Sequence, residues 1–151
     1  MKEMNKGVKV FTDGACAGNP GPGGYGIIIK YNGEFVELGG GSAQTTNNEM
    51  ELLGAVRALE VIRAASEIEL ITDSQYVVKG ISEWLPGWKA KGWRNSTGKV
   101  VKNLELWKRM DKCLQHHKVM PVWVRGHAGH PENERCDQIA VSYRDKYGAG
   151  R

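Results

Sequence analysis

The sequence has few cysteines, few phenylalanines and no long apolar run. Its 151 residues hold 3 cysteines (Cys16, Cys113 and Cys136) and 2 phenylalanines. Three scattered thiols cannot build a disulfide framework, so free cysteines in a reducing compartment are expected. No apolar stretch approaches the about 20 residues of a membrane-spanning helix, and residues 1–7 lack the apolar core of a signal peptide. A cytoplasmic protein with no membrane partner is therefore expected. There is no internal repeat, no linker and no low-complexity segment. At about 100–200 residues per domain, the length predicts a single domain over 1–151. What is present fits a packed globular core, with 40% hydrophobic and 25% charged residues.

The net charge of +4 is unevenly spread. Between Lys79 and Lys112 lie nine basic residues against three acids, a local +6, which leaves the rest of the chain at −2. Trp84, Trp88, Trp93 and Trp107 fall in the same window. A merely solvated charge run has no reason to collect tryptophans, so this segment suits a polyanion.

Hydrophobic periodicity orders the chain. Val8–Asp13 reads as a strand, followed by a turn-rich loop from Gly14 to Gly24. Tyr25–Tyr31 and Glu34–Leu38 are joined by Asn32-Gly33, a strong hairpin signal because both turn positions need positive φ. Helical spacing runs from Asn48 to Ala64, with Thr45, Thr46 and Asn47 as capping candidates. Then follow a strand at Glu67–Thr72, a helix at Ser74–Trp84, and a Trp- and Lys-rich insertion at Pro86–Lys102. A helix at Leu104–His116, a strand at Val119–Val124, a Gly/His loop at Gly126–His130 and a helix opened by Pro131 complete the chain. This order predicts an α/β domain: a five-stranded mixed sheet, three antiparallel strands and then parallel ones, flanked by helices.

Two motifs are set aside. Gly21-Pro-Gly23-Gly-Tyr-Gly26 matches the G-x-G-x-x-G pattern of dinucleotide folds, but the third glycine leads into Ile27-Ile28-Ile29 and a hairpin rather than a helix. The glycines are better read as shaping a turn and letting backbone approach a ligand closely. His127, His130 and Cys136, or Cys113 with His116, do not make a four-ligand zinc set at finger-like spacing.

Four acids stand apart. Asp13 and Asp73 each end an apolar strand, in Val10-Phe-Thr-Asp-Gly14 and Leu70-Ile-Thr-Asp-Ser74. Asp73 could simply cap the next helix, whereas Asp13 has no helix to cap and strands disfavour aspartate. Glu51 precedes Gly54, Ala55 and Ala58, a small-residue stripe that turns it toward the sheet. Asp137 sits in the first turns of the last helix, where an ordinary surface aspartate is the plain alternative. If all four converge at one sheet edge, the charge needs cations. Two Mg²⁺ ions suit it, being hard, oxygen-loving and able to complete their coordination with substrate phosphate. Paired metals activate water and stabilise the leaving oxygen of a phosphodiester. Beside a basic arm, that chemistry points to nucleic-acid hydrolysis.

Thr12–Gly26, Thr45–Leu52, Thr72–Tyr76 and Gly126–Asp137 together resemble the motifs of bacterial type 1 ribonuclease H, in that family's order and spacing from about Val8 to Tyr143. The resemblance implies an endonuclease that cleaves the RNA strand of RNA/DNA hybrids, giving 3′-hydroxyl and 5′-phosphate ends. It implies Mg²⁺ as cofactor, with Mn²⁺ as a substitute, and Asp13, Glu51, Asp73 and Asp137 as metal ligands. It assigns His127 to proton transfer or product departure. Gly14, Cys16, Asn19, Asn48, Glu51, Ser74 and Gln75 are assigned to the RNA strand, and Thr46 and Asn47 to a DNA phosphate. Trp84, Trp88, Lys89, Lys91, Trp93 and Arg94 fall in a basic protrusion at about 84–102 that grips the DNA strand. Trp84 and Trp107 sit on predicted helices and are equally readable as core. A monomer without an obligate protein partner is expected.

Two departures from the family pattern stand out. Glu49 occupies a position commonly basic, and Pro86 and Ala90 thin a protrusion often richer in lysine. Weaker hybrid affinity with retained catalysis is the expected result. The alternatives are a hybrid-binding module without chemistry, which four intact acids oppose, and another nuclease or integrase of the same superfamily, which the loop motifs oppose.

Overall fold

The computed structural model describes residues 4–126 and 129–149 of the chain. The elements run β1 (Asn5–Cys16), β2 (Gly21–Tyr31), β3 (Glu34–Thr45), α1 (Asn47–Val61), β4 (Ser66–Thr72), α2 (Gln75–Lys79), α3 (Leu85–Ala90), α4 (Leu104–His116), β5 (Lys118–Trp123) and α5 (Pro131–Ala149). One five-stranded sheet has the order β3-β2-β1-β4-β5. β1, β2 and β3 pair antiparallel, while β4 joins β1 and β5 joins β4 in parallel. The predicted fold class is the observed one.

The period-2 alternation of strands sorts the apolar residues into two layers. Val8, Val10, Ile27, Ile29, Ile68 and Leu70 face the main core with Leu52, Val56 and Leu59 of α1 and Trp107 and Met110 of α4. Phe11, Ile28, Ile71 and Cys136 form the smaller core on the opposite face, under α5. Gly24 and Gly26 admit α5 so closely that a Cβ at either would collide with the carbonyl of Ala140 or Cys136.

Several boundaries differ from expectation. The segment Gly14–Gly24, expected as a loop, is largely strand, because β1 continues to Cys16 and β2 begins at Gly21. The ladder pairs Gly14 with Tyr25, Ala15 with Gly24 and Cys16 with Gly23; glycines that read as turn signals serve as contact surface instead. β3 likewise runs through Gly39–Ser42 to Thr45. Asn32 and Gly33 take φ of 57° and 81°, as the hairpin reading requires.

The helix expected at Ser74–Trp84 is interrupted. α2 widens through a π-helical turn at Gly80–Trp84 and continues as α3. Pro86 is the second residue of α3, and because the helix is continuous here its missing N–H removes one donor just past the π-helical turn. The turn passes over Trp107, whose ring leaves no room for a side chain at Gly80. Trp107 is fully buried, and its indole N–H donates to Tyr76 Oη at 2.9 Å. Of its two readings, core is the correct one.

At the end of the sheet where β4 and β5 begin, a polar clasp closes the core. His117 is 3% exposed; Ser66 N–H donates to its Nδ1 at 3.1 Å. Its Nε2 lies 3.0 Å from Leu59 O, which assigns the neutral tautomer with the proton on Nε2. Burial lowers its pKa, against the smaller raising effect of the Leu59 carbonyl.

Candidate active site and nucleic-acid face

Parallel pairing of β1 with β4 sets Thr12 beside Thr72, so Asp13, still within β1, and Asp73, just past the end of β4, stand side by side at one end of the sheet. Ser74, not Asp73, caps α2: its side chain accepts from Val77 N–H at 3.2 Å. The capping alternative for Asp73 is thereby removed. Thr46 caps α1, accepting from Glu49 N–H at 3.1 Å, and this fixes α1 over the end of β1. Gly54, Ala55 and Ala58 are all buried, as the small-residue stripe predicts, and Glu51 is turned inward at 5% exposed. The approach is backbone to backbone, since a Cβ on Gly14 would lie 2.8 Å from Glu51 N.

Asp13, Glu51 and Asp73 each present an oxygen within 4.8 Å of the other two. Glu51 Oε2 is buried without a hydrogen-bond partner among the described residues. Burial, then Asp73, push Asp13 up to about 7, although the Gly14 N–H, 2.9 Å from Oδ1, opposes the shift. Burial, then Asp13 and Asp73, raise Glu51 well above the usual carboxylate range. Asp137 also acts on Asp13 and lines, with Asp13, Asp73 and Asn133, a cavity of about 20 Å³. That volume matches one water-sized occupant. Like charges crowded around an unpartnered buried oxygen are tolerable only if protonated or if a cation is present. An all-oxygen donor set fits a hard divalent cation.

α5 delivers Asp137. The Cys136 thiol donates to Phe11 O at 3.3 Å, tying the helix to β1 two residues before Asp13; burial pushes that thiol up to about 12. Lys30 with Glu132 and Arg135 with Glu37 add ion pairs between α5 and the sheet.

Eight of the remaining expected contacts line two clefts. Asn19, Thr46, Asn47 and Asn48 line one of about 580 Å³. Tyr76, Lys102 and Asn103, which the sequence reading missed, complete its wall. The available signal was Asn103, which stands immediately before a helix and takes the left-handed φ of 58° that asparagine tolerates. Trp84, Trp88, Lys91 and Arg94 line a groove of about 410 Å³, placing Trp84 at the protrusion. Trp93 is half-buried beside it, and Lys89 is paired with Asp111 at 3.1 Å. Cys16 is half-buried, its thiol 3.4 Å from Thr45 O; Gln75 is exposed. Glu49, the acid at a commonly basic position, accepts a hydrogen bond from the Thr45 hydroxyl. Arg125 and Glu134, which had not been singled out, and His130, weighed above only as a zinc ligand, also border the acidic cavity. His127 lies outside the described residues.

The family model for RNase H matches residues 5–144. The chain belongs to the RNase H family. It is 56% identical over 137 residues to a ribonuclease H of Mesorhizobium japonicum, covering 91% of this chain and 77% of that protein. To a ribonuclease H of Salmonella arizonae it is 54% identical over 137 residues, covering 91% and 88%. Among solved structures, LC9-RNase H1, described as a type 1 RNase H with the type 2 active-site motif, superposes with a TM-score of 0.86 at 32% identity. That match covers 97% of this chain and 75% of LC9-RNase H1. LC11-RNase H1, solved in complex with an RNA/DNA hybrid, shares the fold at a TM-score of 0.72 and 23% identity, over 93% and 98% of the two chains. As an RNase H, the chain is a nuclease of the hydrolase class, and its acidic cluster is compatible with metal binding.

Proposed function

We propose that the chain is a hybrid-specific endonuclease, hydrolysing the RNA strand of RNA/DNA duplexes to 5′-phosphate and 3′-hydroxyl ends with Mg²⁺ held by Asp13, Glu51, Asp73 and Asp137. The observation that carries this reading is the three-carboxylate cluster with its unpartnered Glu51 oxygen. Bound Mg²⁺, or Mn²⁺ in its place, would lower the pKa of water and offset charge on the scissile phosphate.

The chain's own residues do the rest. Gly14, Cys16, Asn19, Asn48, Ser74 and Gln75 offer amides, a thiol, a hydroxyl and backbone groups to the RNA strand, where the 2′-hydroxyl distinguishes RNA from DNA. Thr46 and Asn47 hold a DNA phosphate. Trp84, Trp88, Lys89, Lys91, Trp93 and Arg94 grip the DNA strand through stacking and charge, and Lys89 must exchange Asp111 for phosphate to do so. His127, between Gly126 and Gly129, carries a proton to the leaving oxygen or helps the product depart. The enzyme acts as a cytoplasmic monomer without an obligate partner. No helix of the described residues is long and apolar enough to cross a membrane.

One assay tests the reading: labelled RNA/DNA hybrid, duplex RNA, duplex DNA and single-stranded RNA are each incubated with protein and Mg²⁺ or EDTA. Only the hybrid's RNA strand should be cut, only with Mg²⁺, and not by Asp13→Asn. Equal cleavage by the variant would overturn the metal assignment, and equal cleavage of all four substrates would overturn the 2′-hydroxyl assignment.

A further inference from the structure

Asp73 is held by more than its own strand. Where β5 leaves the sheet, three successive contacts close around the end of β4. Val124 N–H donates to Thr72 O at 3.0 Å. The Trp123 indole N–H donates to the backbone carbonyl of Asp73 at 3.0 Å. Gly126 lies so close that a Cβ there would stand 2.7 Å from Asp73 Oδ2. The ladder itself ends at the Thr72–Trp123 pair, so the Asp73 carbonyl has passed beyond regular pairing. A side chain takes over where the strand stops.

The Trp123 side chain lies outside the main packing of the described residues. It is 45% exposed and belongs to neither hydrophobic core cluster. The half that is buried contributes apolar burial that any ring of the same shape would supply; what the indole alone adds is one directed hydrogen bond to the backbone of a carboxylate in the cluster. The segment it anchors leads into Gly126 and the loop toward α5. The indole therefore ties the position of Asp73 to the start of that loop.

We propose that Trp123 is a positioning residue, whose indole N–H fixes the Asp73 backbone and so sets the placement of the Asp73 carboxylate for metal binding. This rests on the metal-site reading above. Losing one hydrogen bond of ordinary strength to a pre-organised ligand predicts an effect of about 3- to 10-fold, in metal affinity and kcat rather than in KM.

The cleanest test replaces Trp123 with 3-benzothienylalanine, which keeps the ring shape and exchanges the N–H for sulfur; Trp123→Phe is the genetic counterpart. Mg²⁺ binding is measured by titration calorimetry without substrate, alongside thermal midpoint, KM and kcat on hybrid. The expected result is a Mg²⁺ affinity and kcat each lowered about 3- to 10-fold, with KM and thermal midpoint close to those of the parent. Unchanged Mg²⁺ affinity in both variants, with or without a lowered midpoint, would overturn the inference and leave Trp123 a structural residue. A parent protein that itself shows no Mg²⁺ binding would overturn the metal-site reading and the inference with it.

Discussion

The two ends of the sheet bury polar groups in opposite ways. Where β4 and β5 begin, His117 is enclosed with both ring nitrogens partnered, to Ser66 and Leu59. Where β1 and β4 end, Asp13, Glu51 and Asp73 crowd together and a buried Glu51 oxygen has no partner among the described residues. Both ends stand on the same strands. One is finished by the protein, and the other leaves a buried carboxylate oxygen unpartnered among the described residues. A native structure tolerates such an unfinished group where the site is used, and the rest of the fold stabilises it.

Four experiments break or sharpen that contrast. The largest effect falls on activity: Asp73→Asn should lower kcat on hybrid by on the order of 10²–10³ or more, the scale for removing one charged group from a pre-organised site. Its fold should be retained, as circular dichroism would show. Next comes stability at the opposite end. His117→Ala strands a buried donor and a buried acceptor, at about 1–3 kcal/mol each, so chemical denaturation should show a loss of about 2–6 kcal/mol. Activity per folded molecule should stay at the parent level; a fall in step with stability would mean the ends are coupled.

The third effect is a pH dependence of opposite sign at the two ends, measured without metal. Asp13 is raised from 3.8 to about 7, so the folded state binds its proton more tightly than the unfolded state does. Stability from this group is present at low pH and is lost as pH rises from about 4 to about 7. His117 is lowered from 6.5, so its contribution is present above about 6.5 and is lost as pH falls below that value. In the parent the two slopes oppose each other. Asp13→Asn should make the fall with pH shallower, Glu51 remaining as a second raised carboxyl, and should stabilise the metal-free protein at neutral pH by at least about 1 kcal/mol. His117→Ala should expose a profile that falls with pH, and Mg²⁺ should flatten it.

The smallest effect lies away from both ends. Lys91→Ala or Arg94→Ala should leave either stability profile unchanged. Each should reduce the slope of log affinity against log salt by about 1 if the side chain meets a phosphate, read by fluorescence titration with hybrid. The parent slope also tests the cost of Glu49 and the thinned protrusion: a slope as steep as that of relatives with more basic arms would remove the expectation of weak affinity.

Much of this was legible in the chain. Asn32-Gly33 named its hairpin because the chemistry of positive φ is local, and Leu104–His116 was read to the residue. Glu51 was drawn to the sheet by the small residues one and two turns on, a pattern visible without coordinates. What failed was the reading of glycine. In Gly21–Gly26 glycine signalled a turn, but at Gly24 and Gly26, as at Gly39 and Gly41, its lack of a side chain serves α5, a partner about a hundred residues away, and nothing local encodes that. The break between α2 and α3 was hidden for the same reason, since it lies against Trp107. Tyr76 and Asn103 escaped notice as cleft residues because their hydrogen bond, at 3.0 Å, joins segments distant in sequence.

Gly26 pairs with Asp13 across the ladder, and the space above it is filled by the Cys136 carbonyl, one residue before Asp137. The gap between two of the four carboxylates is thus gauged by a hydrogen atom on a neighbouring strand. Replacing glycine by alanine inside a strand is ordinarily a conservative way to stiffen a protein. At this position a single methyl group would act as a wedge, lifting α5 and drawing Asp137 away. Engineering that avoids the acids themselves could still disarm the enzyme from within its most regular secondary structure.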